Sequence, residues 1–347
     1  MVFLGRALCV CVLVTVLGTL SAGPVRADEE TDFYKGRQVR VLIGFGPGGG
    51  YDLIARLVAR RFGEHLPGGA SVVPQNIPGA GSLTAANNIA NLAPRDGSVF
   101  GSVSSGMPAA PLLNPDQARF DSRHLSWLGS TTNEVQIDIV WHTSPVKTIE
   151  QLKTEELIIG GTGAGAATDD FPAVLREVLG LRFKIIPGYK GTHEVELAME
   201  RGEVQGLAGG TWNSTKARLQ NWLQTKQIVV MAQYGRVKHP DLPDVPLIWD
   251  YAGNDTDRKA LNLVFSRQEM GRPYVAPPEL PAARLATLRA AFDATMSDPA
   301  FLADAAKADV EISPIDGPAV AKLVADLYTT PSEVVKRVAK ALSPDAR

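Results

Sequence analysis

One local unit, repeated, constrains this chain more than any other feature: a short apolar run, a glycine-rich loop, then a segment with helical periodicity. It first occurs as Val39-Arg40-Val41-Leu42-Ile43 and passes through Gly44-Phe45-Gly46-Pro47-Gly48-Gly49-Gly50-Tyr51-Asp52. Beyond the loop, Leu53, Ile54, Leu57, Val58 and Phe62 form one apolar stripe at helical spacing. The unit returns as Ser71-Val72-Val73, the turn Ile77-Pro78-Gly79-Ala80-Gly81-Ser82 and a helix over 83–92. A third strand is expected at 98–103, ending in Ser104-Ser105-Gly106. Such alternation predicts a parallel sheet flanked by helices, because parallel neighbours must be joined by a crossover long enough to hold a helix.

The pattern then starts again. Residues 156–160 predict a strand and 161–170 a loop. Phe171, Val174, Leu175, Val178 and Leu179 mark a helix that Gly180 would stop. Further strands are expected at 183–186, 204–207 and 228–232. Between them lie Pro187-Gly188-Tyr189-Lys190-Gly191-Thr192, a helix to Arg201, and Gly209-Gly210-Thr211-Trp212. After Arg236 come proline-rich turns and then helices at 281–296, 299–308, 320–328 and beyond Pro331, with no strand series of their own. The expected organisation is a leader at 1–27, one lobe from 28–142 plus 245–347, and a second lobe at 143–244.

The leader has the features of a cleaved secretory signal: Arg6, an apolar stretch at 7–20, and small residues around Val25-Arg26-Ala27, so cleavage is expected near Ala27 and the protein in the periplasm. The apolar stretch falls short of the ~20 residues a spanning helix needs. Both cysteines, Cys9 and Cys11, lie inside it, which excludes disulfides, thiol catalysis and cysteine metal sites from the mature chain. Removing 27 of 347 residues leaves 320, more than one compact core usually holds. A net charge of −2 shows no basic excess to suit nucleic acid.

Gly44-x-Gly46-x-x-Gly49 matches the dinucleotide fingerprint in form. That fingerprint also needs an acid about 20 positions on to hold a ribose, where this chain has Val72-Val73-Pro74-Gln75-Asn76. Asp52 would moreover put a carboxylate where pyrophosphate should sit. No P-loop, Gly-x-Ser-x-Gly elbow or His-Glu-x-x-His occurs, and His65, His124, His142, His193 and His239 lack metal-ligand spacing. The expectation is a monomer without cofactor or metal. What remains is a set of loops whose backbone N–H groups open helices, the kind of site that takes carboxylates and other oxyanions. Supplied by two facing lobes, they would enclose a small solute in the cleft between.

Several ordered motifs carry a resemblance. They are Phe45-x-Pro47-Gly48-Gly49-x-x-Asp52-x-x-Ala55-Arg56, Asn76-x-Pro78-Gly79-Ala80-Gly81, Ala93-Pro94-x-Asp96-Gly97, Gly161-Thr162-Gly163-x-Gly165, Tyr189-Lys190-Gly191 and Leu242-Pro243-Asp244-Val245-Pro246. Together they resemble the extracytoplasmic solute receptors of tripartite tricarboxylate transporters, often called Bug proteins. The resemblance implies an α/β, two-lobed periplasmic binding protein of type II (Venus-flytrap), each lobe a mainly parallel sheet flanked by helices. It implies no enzymatic activity, a small organic acid held largely by loop amides and waters, and delivery to integral-membrane transporter subunits. Carried over position by position, the site comprises Pro47, Gly48, Gly49, Asp52, Gly79, Ala80, Gly81, Ser104 and Ser105. The facing lobe adds Thr162, Gly163, Gly165, Ala166, Thr168, Tyr189 and Trp212.

This chain departs from the family pattern in three places. Ile77 replaces an arginine, Ser82 a second glycine, and Ala167-Thr168-Asp169-Asp170 a stretch that commonly reaches a histidine. Asp52, Asp169 and Asp170 admit two readings, as helix-start residues favoured by the dipole or as ligand groups that would ask for a donor on the solute. Trp212 is a pocket wall or a core residue, Lys190 a solvated loop cation, and Arg56, Arg60 and Arg61 the polar face of a helix. Two other functions fit the same architecture: a solute sensor for a histidine kinase, and a periplasmic enzyme.

Overall fold

The computed structural model describes residues 25–47, 50–162, 166–189 and 192–343. Gly48, Gly49, Gly163 and Gly165, assigned above to ligand loops, lie outside the described residues, as do Lys190, Gly191 and the leader up to residue 24.

The strands are β1 Gln38–Ile43, β2 Ser71–Asn76, β3 Val99–Ser102, β4 Ser126–Ser130, β5 Gln136–Trp141, β6 Leu157–Gly160, β7 Phe183–Ile186, β8 Gly206–Thr211, β9 Ile228–Gln233, β10 Pro273–Ala276 and β11 Ile315–Asp316. They form two sheets, ordered β11-β4-β10-β3-β1-β2 and β7-β6-β8-β5-β9. In each sheet three strands run parallel, β2-β1-β3 and β7-β6-β8. These are the repeated strand-loop-helix units. Pro74 is accommodated because β2 lies at an edge, where a missing N–H breaks no ladder bond.

The sheets are mixed, where mainly parallel ones are expected from the repeats. The strand that arrives directly from the other sheet, β10 in the first and β5 in the second, inserts antiparallel beside β3 or β8. The reason is geometric. Each arriving strand starts at the carboxyl edge of the parallel set, Tyr274 opposite Ser102 and Gln136 opposite Thr211, so it must run back through the sheet.

The segments between the sheets are consequently 131–135 and 266–272, instead of lying near 142 and 245. β5 belongs to the second sheet. The helix Asp255–Phe265, placed by the sequence in the first lobe, packs on the second-lobe helix Ala167–Leu179, with the Phe171 and Phe265 ring centroids 4.4 Å apart. Phe171 is fully buried, a contribution of roughly 1.5–3 kcal/mol for such a side chain.

The helix Gly50–Phe62 buries Ile54, Leu57, Val58 and Phe62 against the first sheet, while Leu53, counted in the same stripe above, is 40% exposed. Gly180 ends the helix Ala167–Leu179 in the left-handed conformation at φ +68°, as its position suggests. The last helix, Ser332–Ala341, packs on residues 110–113 of the first lobe and on two helices of the second. Its Arg337 donates to the carbonyls of Glu177 (2.8 Å) and Val178 (3.4 Å), closing the carboxyl end of Ala167–Leu179, and pairs with Asp257 at 3.0 Å.

Candidate functional site

The first-lobe loops leave the carboxyl ends of β1, β2 and β3, the edge at which open α/β sheets bind ligands. Gly79, Ala80, Gly81 and Ser82 all have positive φ, at 139°, 46°, 61° and 85°. For Ala80 and Ser82 that is a strained conformation, of the kind that persists at ligand loops when the surroundings fix it. The surroundings here are specific. Ser82 is fully buried, and its Oγ accepts the Ser104 N–H at 3.1 Å. A Cβ on Gly44 would lie 1.8 Å from that oxygen, so Gly44 must be glycine for Ser82 to enter. One hydroxyl thereby joins three loops. Ser104 Oγ in turn accepts from the Gly106 N–H at 3.3 Å.

Tyr51 ties the same loops to the second crossing. Its hydroxyl donates to the Gly271 carbonyl at 3.0 Å and accepts the Ser105 N–H at 3.1 Å. Its ring stacks on Phe45 at 4.2 Å between centroids. Asp52, buried in the first turn of the helix, accepts from Arg56 Nε (2.9 Å) and from Asn76 Nδ2 (2.8 Å). Asn76 Nδ2 also donates to the Phe45 carbonyl at 2.9 Å, and Arg56 Nη2 to Asn76 Oδ1 at 2.9 Å. Asp52 is therefore a brace between the glycine loop and the end of β2. Arg56 is part of that brace, not only of a polar face. Pro47 is exposed beside the loop.

In the second lobe the helix Ala167–Leu179 opens under Ala166, whose carbonyl accepts the N–H of Asp169 (3.2 Å) and of Asp170 (2.9 Å). Thr168 Oγ1 donates to Asp169 Oδ2 at 2.9 Å, which leaves the Thr162 hydroxyl as donor to Thr168 Oγ1 at 2.7 Å. The Thr162 N–H reaches the same oxygen at 3.1 Å. Asp170 pairs with Arg267 Nη1 at 3.0 Å, both side chains nearly buried, and the guanidinium covers the Phe171 ring at 4.9 Å. A Cβ on Gly106 would stand 3.8 Å from Arg267 Nη1, so this arginine lies between the loops of the two lobes.

Tyr189 is half-buried with its ring against Gly160, and its N–H donates to the Gly161 carbonyl at 3.3 Å. Trp212 is in the second-lobe core, and its Nε1 donates to Asp241 Oδ2 at 3.1 Å. The structure thus supports the core reading of this tryptophan.

Directly behind the second-lobe loop is a buried carboxyl that the sequence does not mark. Asp138 on β5 accepts the Gly209 N–H at 3.0 Å and the Tyr234 hydroxyl at 2.9 Å to each oxygen. Burial pushes its carboxyl up to about 7, against the opposing pull of these two donors. Gly209 has φ +67°, and a Cβ there would meet the Ala167 carbonyl at 2.7 Å, so Asp138 holds the backbone on which the pocket helix rests.

Arg267 and Arg272 are the site residues that sequence reasoning passed over, together with Tyr51. The available signal was Arg272-Pro273-Tyr274-Val275-Ala276-Pro277, an apolar run bracketed by prolines, which marks a short strand with an arginine at its entry. A groove of about 650 Å³ also runs along the first-lobe helix Leu83–Asn91. Two of its carboxamides are committed to structure, since Asn87 and Asn91 hold the backbone of Gln117 and Arg119. Among the described residues no group of three or more His, Cys, Asp or Glu is placed to hold a metal ion.

Residues 54–339 match the model of the tripartite tricarboxylate transporter family receptor, TctC. The chain belongs to this family. The receptor is 25% identical over 293 residues to a UPF0065 protein from the TAR-I ttuE-ttuC' intergenic region of Agrobacterium vitis, covering 82% of this chain and 79% of the relative. Its fold is similar to that of a TctC solute binding protein from Polaromonas (TM-score 0.68, 16% identity, 87% of this chain and 99% of that one). It is also similar to Rpa4515 of R. palustris with adipate (0.60, 19%, 87% and 97%). A third similar structure is MatC of Rhodopseudomonas palustris with bound malate (0.57, 19%, 88% and 99%). The two mixed sheets with their flanking helices are the two-lobed α/β fold of the periplasmic binding proteins.

Proposed function

We propose that this solute-binding receptor captures a small organic acid between its lobes, outside the cytoplasm, and hands it to the membrane subunits of a tripartite tricarboxylate-type transporter. The observation that carries the reading is the convergence of loops at the carboxyl edges of the sheets. Ser82, Ser104, Tyr51 and Ser105 form a braced network in one lobe, and Thr162, Thr168 and the start of a 13-residue helix face it from the other. These internal bonds fix the loop backbones where two pocket helices start, and the oriented N–H groups of helix starts suit a carboxylate. Adipate and malate in two structures of the same fold support that ligand class. The leader-like start supports export, and no helix among the described residues is long and apolar enough to cross a membrane.

The test is a thermal-shift screen of the purified mature protein against mono-, di- and tricarboxylates and amino acids. A ligand of the folded state raises the melting temperature by mass action, about 2.7 kcal/mol at a hundredfold excess over Kd. The reading requires at least one carboxylate to give a saturable shift. Silence across all of them would sink it. Delivery is tested separately, by uptake of the identified acid in cells with and without the receptor.

A further inference from the structure

We propose that Arg272 is a direct anion anchor in this cleft: its guanidinium takes an acidic group of the solute, and the receptor thereby prefers anions to zwitterionic amino acids. This rests on the solute-binding reading above and adds a charged contact to a site otherwise built from amides and hydroxyls. The second crossing carries two arginines, each reaching the first turn of one lobe's pocket helix. Arg267 is committed, with Asp170 at 3.0 Å and the Phe171 ring beneath it. Arg272 is held more loosely. Its Nη2 stands 3.4 Å from Glu134 Oε1, and its Nε is enclosed without a hydrogen-bond partner.

The position of that guanidinium points to an anion. It lies against Gly50, the first residue of the helix Gly50–Phe62, where an added Cβ would be 3.2 Å from Nη2. A cation at the amino end of a helix is repelled by the dipole, and the arrangement becomes favourable when a negative group stands between the two. The seat is nevertheless well built. The guanidinium lies 4.7 Å over the Tyr51 ring, Tyr51 is fixed by Ser105 and Gly271, and the Arg272 N–H donates to Ser130 Oγ at 3.0 Å. A planar fork of donors matches a carboxylate bidentately. Glu134, on the first crossing, is the internal competitor for the same cation. Of the nearby acids, Asp170 is paired with Arg267 and Asp52 with Arg56, and Glu134 lies against Arg272 itself, whose positive charge opposes an ammonium group beside it.

Calorimetric titration of the mature protein with adipate, malate and glutamate tests this. The dicarboxylates should bind more tightly than glutamate. Arg272→Gln should weaken them about tenfold or more, as expected for loss of hydrogen bonds to a charged group, with Arg272→Lys between the two. Glu134→Gln should leave binding unchanged or tighten it, because it removes the competitor. If the two residues were only a structural pair, Arg272→Gln and Glu134→Gln would move affinity in the same direction, and that result overturns the proposal. So would wild-type affinity in Arg272→Gln and Arg272→Lys proteins that circular dichroism shows to be folded. A wild-type protein that responds to no carboxylate in the thermal screen removes the parent reading instead, which separates the two failures.

Discussion

Replacing Asp138 by asparagine should change how stability depends on pH, in a direction set by burial. The carboxyl sits 1% exposed in the second lobe, and its pKa is raised from 3.8 to about 7. Burial is the largest cause, and the bonds from Gly209 and Tyr234 only partly oppose it. Folding therefore favours the protonated acid. The stabilisation is complete below the unfolded value near 3.8 and is lost as pH rises through about 7. Each pH unit inside that window is worth about 1.4 kcal/mol, so the full effect is on the order of 4 kcal/mol and the part between pH 5 and 7 about 3 kcal/mol.

Asparagine keeps the geometry, with Oδ1 still able to accept the Gly209 N–H, and it does not ionise. The assay is urea denaturation of both proteins at half-unit steps from pH 5 to 8.5. The stability of Asp138→Asn minus that of the wild type should grow with pH up to about 7 and then level off. Tyr234→Phe gives a second arm: removing a donor to the carboxylate should move the midpoint of the wild-type trend upward. Parallel curves for wild type and Asp138→Asn, with a constant offset across the range, would refute the reasoning.

Ser82→Ala should cost about 1–3 kcal/mol, because the Ser104 N–H loses its acceptor inside the protein. Ser82→Gly should cost less, since glycine relieves the φ of +85°, and urea midpoints of the two variants check the order. Asp52→Asn should lower stability by only about 1 kcal/mol, because Arg56 is 41% exposed and the pair is screened. Titration with the best acid from the screen should find its ligand preference unchanged. Trp212→Phe should lose about 1 kcal/mol with its bond to Asp241 and bind the solute as the parent does, measured by thermal melts and calorimetry.

The parts of the fold that were legible are those whose signal is local. β1, β2, β3, β6, β7 and β9 each coincide with an expected apolar run, β8 starts two residues later than expected and takes Gly209 and Gly210 into the strand, and the four carboxyl-terminal helices lie where they are expected. β4 and β5 were missed for a physical reason. Ser126–Ser130 is buried at every position, yet Ser126, Gly129 and Ser130 dilute its apolar pattern, and Asp138 interrupts β5 with a residue that reads as solvent-facing. Only the burial of Asp138 beneath Gly209 and Tyr234 makes sense of that acid. Ser82, conspicuous as a departure from the family's glycine, proves to be the joint of three loops. No local pattern could have shown this, since its partners are Gly44 and Ser104.

The arginines were hidden by topology. Arg272 is more than 200 residues from the glycine loop in sequence, and it reaches Gly50 because β10 must enter the first sheet at its carboxyl edge, while Arg267 on the same crossing reaches Asp170 of the second lobe. The same requirement places the first crossing, with Glu134, at the carboxyl edge of the second sheet. The two crossings are bonded side by side through Thr131 N–H to the Arg272 carbonyl, Gly271 N–H to the Thr132 carbonyl and Glu134 N–H to the Gln268 carbonyl. Motion of one lobe against the other would therefore involve the backbone that carries Arg272 and Glu134, together with the last helix, which packs on both lobes. A solute that draws Arg272 away from Glu134 acts at that junction, so its binding energy differs between open and closed arrangements where a small difference can shift the equilibrium. Small-angle scattering should accordingly show Glu134→Gln more compact than the parent at sub-saturating amounts of the best acid from the thermal screen, and Arg272→Gln less so. Identical scattering from all three proteins would mean that the pair does not couple capture to closure.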